Sequence, residues 1–204
     1  KGKVWSFGNA AYGQLGRVTF KGSATPAYIP LLPPIQALSA GDFHTVVLDD
    51  KGKVWVFGSN KFGQLGLGDE NNRNTPAQIP NLPLIKAVSA GSMHTVLLDY
   101  EGKVWAFGNK PGIGHTNSSN TPVQIPNLPP IRAISAGVDT TFLLDEEAKV
   151  WSLGNNYLGQ LGLGDNNDRD TPTQIVASPN GWNENFRALL PFDSRFNIKQ
   201  APQI

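Results

Sequence analysis

Short apolar runs alternate with polar segments rich in glycine and proline along almost the whole chain. Between residues 75 and 107 the runs are T-P-A-Q-I (75–79), I-K-A-V-S-A (85–90), H-T-V-L-L-D (94–99) and K-V-W-A-F (103–107). Runs of this length, rich in Val, Ile, Leu, Thr and aromatic residues, predict strands. The segments between them carry turn chemistry: P-N-L-P at 80–83, and acidic residues before glycine in D-D-K-G (49–52) and D-Y-E-G (99–102). Side chains alternate along a strand, so Trp105 and Phe107 share one face of K-V-W-A-F while Val104 and Ala106 take the other. Both faces are apolar, which predicts a sheet covered on both sides.

The pattern repeats. G-K-V-W-S-F-G at 2–8 recurs as G-K-V-W-V-F-G at 52–58, G-K-V-W-A-F-G at 102–108 and A-K-V-W-S-L-G at 148–154. Thr-Pro follows each at Thr25-Pro26, Thr75-Pro76, Thr121-Pro122 and Thr171-Pro172, and S-A-G stands at 39–41, 89–91 and 135–137. Three markers hold one register of about fifty residues, apart from a four-residue deletion between Trp105 and Thr121. Four antiparallel strands per period, sandwiched between neighbours, predict an all-β fold: a β-propeller of about four four-stranded antiparallel blades, either small and closed or a fragment of a seven-bladed ring. The blades are expected at 25–58, 75–108 and 121–154 within a single domain over 1–204. Residues 171–204 are expected to pair with 1–8 as a composite closing blade, in which F-R-A-L-L-P and R-F-N-I-K are poor copies of the second and third strands and Trp182 marks an atypical insertion.

Composition narrows the function. Seventeen basic and sixteen acidic residues give a net charge of +1 with no basic run, so no electrostatic footprint for nucleic acid or anionic lipid is present. No apolar stretch approaches the length of a membrane span. The absence of cysteine removes disulfides, thiol catalysis and cysteine-ligated zinc. No phosphate loop, nucleophile elbow or H-E-x-x-H pair occurs, so neither a nucleotide site nor conventional side-chain catalysis is expected. The oxygen-rich loops G-D-E-N-N-R-N (68–74) and G-D-N-N-D-R-D (164–170) suggest calcium, yet their spacing fails the EF-hand rule, and solvated turns are expected instead. No cofactor and no metal is called for.

The ordered motifs G-x-x-H-T, aromatic-x-F/W-G and G-Q-L-G resemble the repeats of the regulator of chromosome condensation family. Here they stand as G-D-F-H-T (41–45), G-S-M-H-T (91–95), and G-Q-L-G at 63–66 and 159–162. The resemblance implies a propeller that binds another protein through loops on one face of the disc. A Ran-type small GTPase is one implied partner, with nucleotide exchange achieved by binding and distortion. A secreted or effector-type binding protein or enzyme inhibitor without exchange activity is the alternative. The family's GTPase-facing positions map onto Asp42, His44, His94 and Asp139, although Thr140 replaces the third histidine. The bland reading is that these side chains tie down the turn before the third strand. Phe43, Met93 and Tyr12 are candidate apolar loop tips for an inhibitor. Asp42, Ser92 and Val138 stand where the family's plant photoreceptor has tryptophan, so light sensing is disfavoured, and the repeat tryptophans are expected in the core. The shortened loop at 109–120 holds His115, outside the repeat register, and Asn117-Ser118-Ser119 fits a glycosylation signal.

Overall fold

The computed structural model describes residues 2–109, 114 and 117–176. These form strands joined by turns, with no helix among the described residues. Blade 1 consists of β3 (Ile35–Ala40), β4 (His44–Asp49), β5 (Val54–Gly58) and β6 (Arg73–Gln78). Blade 2 consists of β7 (Ile85–Ala90), β8 (His94–Asp99), β9 (Val104–Gly108) and β10 (Ser119–Gln124). Blade 3 follows with β11 (Ile131–Ala136), β12 (Thr140–Asp145), β13 (Val150–Gly154) and β14 (Arg169–Ile175). Ahead of them β1 (Trp5–Gly8) and β2 (Ser23–Tyr28) form a two-stranded antiparallel pair. All pairings are antiparallel. The fold is the β-propeller type that the repeats predict.

The strands lie where the apolar pattern places them, but their grouping is shifted by one. The Thr-Pro strand closes the sheet of the preceding period, as β6 on β5 and β10 on β9, rather than opening its own. The reason lies in the segment after it. Residues 80–84 contain Pro80 and Pro83, which have no N–H for a ladder, and Asn81 takes the left-handed conformation at φ 57°. Chain with that chemistry crosses to the next blade instead of turning a hairpin. It is pinned where it lands, because the Ile85 N–H donates to the Gly52 carbonyl in the hairpin of the blade left behind (3.0 Å). By the same rule T-P-T-Q-I belongs to blade 3 as β14. The rest of the expected closing blade, including Trp182, lies outside the described residues.

Both faces of the middle blade are buried. Leu97, Phe107 and Ile85 pack with Val46, Leu48, Val54 and Val56 of blade 1. On the other side Val96, Leu98, Val104 and Ala106 pack with Ile131, Leu143 and Leu153 of blade 3. The alternation read from K-V-W-A-F therefore holds residue by residue. At the outer rim, strands β2, β6, β10 and β14 carry proline at Pro26, Pro76, Pro122 and Pro172, and each pairing has an irregularity at that point.

The repeat tryptophans are not central: Trp5 is exposed, and Trp55, Trp105 and Trp151 are half-buried, where an aspartate explains them. In blade 2 the Asp99 Oδ1 accepts from the N–H groups of Glu101 and Lys103 (both 2.9 Å), while Oδ2 accepts from the Trp105 indole (3.0 Å). Asp49 and Trp55 repeat this in blade 1, and Asp145 and Trp151 in blade 3. One carboxylate thus fixes both the hairpin and the indole at its foot. Asp99→Asn, which keeps one acceptor and removes the one facing the indole, is expected to cost about 1–3 kcal/mol in urea unfolding. In a Trp105→Phe background the same change should cost markedly less, because the orphaned donor is gone.

Candidate functional site

The turns that open the second strand of each blade come together on one face. They are Gly41-Asp42-Phe43-His44, Gly91-Ser92-Met93-His94 and Gly137-Val138-Asp139-Thr140. Each is closed by its own backbone: the N–H of Gly41, Gly91 and Gly137 donates to the carbonyl of His44, His94 and Thr140 at 2.9, 2.9 and 2.8 Å. The carbonyls of Phe43, Met93 and Asp139 then accept from Ser59, Asn109 and Asn155 at the start of the loop leaving the third strand. Turn and loop are thereby fixed to each other in every blade.

The glycine of S-A-G is required by space. A Cβ on Gly91 would lie 2.3 Å from His94 Cε1 and 2.5 Å from the Gly137 carbonyl oxygen, well inside contact distance. The serine of the same motif also faces the next blade. Ser39 Oγ accepts from the Ala90 N–H at 3.0 Å, and Ser89 Oγ accepts from the Ala136 N–H at 2.9 Å, each bond crossing from one blade to the next.

The histidines complete this wiring. His44 Nε2 meets Thr95 Oγ1 of blade 2 at 2.9 Å, and His94 Nε2 meets Thr141 Oγ1 of blade 3 at 3.1 Å. Both rings are 1% exposed. Burial pushes His94 down to about 4, and burial together with the charge of His94 pushes His44 to about 3. Both are neutral at ordinary pH. The side chains that this face exposes belong to the residues above them.

Those residues form a compact set. The Ser92 hydroxyl, on the middle blade, donates to Asp42 Oδ2 of blade 1 at 2.7 Å. Asp139 of blade 3 is close enough to sense Asp42: burial, and then the Asp42 charge, hold its carboxyl above the usual carboxylate range. The exposed rings of Phe43 and Tyr12 meet edge to face at 5.3 Å between centroids. Val138 is exposed and Met93 half-buried in the same row of turns. The structure therefore brings Asp42, Phe43, Met93 and Asp139 to one surface and sets His44 and His94 beneath it. Ser39 and Ser89 are not among the residues singled out in the sequence, although the recurrence of S-A-G within the chain is their signal.

The oxygen-rich loops are internally committed. Asp69 Oδ1 accepts from Asn71 N–H and Oδ2 from Arg73 at 2.6 Å, while Asn60 donates to the Asp69 carbonyl. Asn156, Asp165 and Arg169 repeat the arrangement in blade 3. No group of three or more His, Cys, Asp or Glu side chains suited to a metal occurs among the described residues. His115 lies outside the described residues, and Asn117 is exposed.

The family model described as the regulator of chromosome condensation (RCC1) repeat matches residues 1–48, 51–98 and 147–186, and a second model of the same description matches 35–64. The chain belongs to the RCC1 repeat family. The longest unmatched interval, 99–146, contains both the shortened loop and Thr140 in place of the RCC1-repeat histidine. Among solved structures the chain is similar to human WBSCR16, with a TM-score of 0.78 and 21% identity over 86% of this chain and 49% of that one. It is also similar to yeast RCC1 (Prp20) bound to Kap60, with a TM-score of 0.79 and 22% identity over 87% and 45% of the two chains. A second structure of Prp20p from Saccharomyces cerevisiae, reported with its binding properties to Gsp1p and histones, matches with a TM-score of 0.78 and 22% identity over 86% and 47%. The chain spans about half the length of these proteins, and at such identities the likeness establishes the fold. A comparison with curated proteins gives no match.

Two outcomes test this geometry. Gly91→Ala is expected to destabilise the protein by on the order of 2 kcal/mol through overpacking at the seam, read by thermal or urea unfolding. Asp42→Asn removes one of the two causes that raise Asp139, so the Asp139 carboxyl should titrate at lower pH, as followed by its side-chain carbon resonance.

Proposed function

We propose that this RCC1-repeat chain is a protein-interaction module whose working surface is the row of turns bearing Asp42, Phe43, Met93 and Asp139. The observation that carries the reading is the juxtaposition of two carboxylates from blades 1 and 3 around Ser92, beside an exposed aromatic pair, on turns held by inter-blade hydrogen bonds. A rigid support with exposed aromatic and charged side chains is the arrangement that yields affinity without induced ordering of the binder. His44 and His94 contribute by holding the turns in place.

The finer reading is that the partner is a Ran-type small GTPase and that binding loosens its nucleotide. It is supported by family membership and by the likeness to Prp20p, a protein studied for its binding to Gsp1p and histones. Exchange of this kind asks no covalent chemistry of the propeller, only tighter binding to the nucleotide-free GTPase than to the loaded one. The Phe43–Tyr12 pair also favours a second reading, a plug for an enzyme's active site without exchange activity.

Release of labelled GDP from Ran, measured with and without the chain, separates the two. Acceleration that falls at least tenfold in the Asp42→Ala/Asp139→Ala variant is expected if the exchange reading holds. Absence of both acceleration and detectable Ran binding removes it.

A further inference from the structure

The inter-blade histidines carry a consequence independent of any partner. At the first seam the proton positions follow from the bonding. Thr95 gives its single hydroxyl proton to the Gln64 carbonyl at 2.8 Å, so its oxygen must accept from His44, which carries its proton on Nε2. Nδ1 is then a bare lone pair, and it is buried without a hydrogen-bond partner. The Gly41 turn lies against it, a Cβ there falling 2.9 Å from Nδ1. His94 occupies the same place at the second seam, against Gly91 and Thr141.

The charge that acts on His44 is that of His94, and the turns that lead into the two rings and Thr140 carry Asp42 and Asp139. On the strands packed against them, Lys86 of β7 and Arg132 of β11 stand at the far ends, next to the residues paired with Asp99 and Asp145. Asp49 lies at the far end of β4, and the Lys61 ammonium sits over the Phe62 ring. The ladders within each blade are backbone N–H to carbonyl bonds, which do not titrate.

We propose that the two imidazoles make the blade seams acid-labile: a second ring proton leaves a buried cation at each seam, at His44 with an unpaired N–H as well, and blades 1, 2 and 3 part along the seams while each four-stranded sheet stays paired. Burial lowers both rings from the ordinary value of 6.5, to about 3 and about 4, whereas a parted seam restores ordinary titration. The open state therefore binds more protons in the interval, so the seams keep their full strength above pH 6.5 and lose it progressively as the pH falls toward 4. Asp139, raised above its ordinary value, acts with the opposite sign. Asp69 and Asp165, lowered by their arginine partners, contribute losses only at and below the ordinary carboxylate range.

The test uses the full chain, followed by small-angle scattering, far-ultraviolet circular dichroism and histidine ring carbon resonances across an acid titration. The expected result is a rise in radius of gyration between about pH 6 and 4 with the strand signal retained. In His44→Gln/His94→Gln, where the amide replaces Nε2–H as donor and does not titrate, that rise should move down by about one pH unit or more. An unchanged profile in the double variant, or loss of the strand signal together with expansion, overturns the proposal. Should the variant fail to fold, the unsubstituted chain still decides: rings that titrate near 6.5 while the scattering stays compact overturn it, and rings that take up protons only as the chain expands support it.

Discussion

Everything in this molecule depends on sheets being buried by their neighbours, on both faces in blades 1 and 2. A four-stranded sheet of this size has no core of its own. Blade 2 acquires one from each side, with Leu97 and Phe107 turned toward blade 1 and Val96, Leu98 and Val104 toward blade 3. Apolar contact of this kind supplies most of the stabilisation and little of the registration, because it is non-directional. Registration comes from a small set of polar groups in the S-A-G-x-x-H-T motif. Serine accepts from the next blade's backbone, histidine meets the next blade's threonine, and that threonine holds the carbonyl of the G-Q-L-G loop. The motif repeats because the seam repeats.

The same wiring places the candidate binding surface. Asp42, Ser92 and Asp139 come from three different blades and meet only because the seams are set closely enough for a hydroxyl to reach a neighbour's carboxylate. A shift at a seam would separate them long before any strand was lost. The surface is thus a property of inter-blade geometry, with the individual turns serving as its supports.

Much of this was legible in the sequence. Period-two alternation located the strands, including the division of Trp105 and Phe107 from Val104 and Ala106, since facing follows directly from strand geometry. The sheet to which the Thr-Pro strand belongs was harder to read, because a short connection reads as a hairpin until the two prolines and the left-handed asparagine are weighed together. The burial of His44 and His94 was hidden for another reason: a turn motif specifies local conformation, whereas burial depends on the neighbouring blade. The Asp99 to Trp105 bond, at a spacing of six residues present in all three blades, was readable and passed over because tryptophan was assigned to packing alone. The proximity of Asp42 and Asp139 had no linear signal at all.

The prolines of the outer strands have an effect beyond the fold that contains them. A sheet edge normally offers a row of donors and acceptors to any extended chain that drifts past, and edge pairing of that sort underlies much uncontrolled association. In β6, β10 and β14 the outermost strand lacks a donor at Pro76, Pro122 and Pro172, and its ladder is irregular at the same point. The rim is therefore a poor template for strand addition, in the way a frayed hem resists stitching. The proposed binding surface on the turns therefore has no competitor in the outer strands for extended chain.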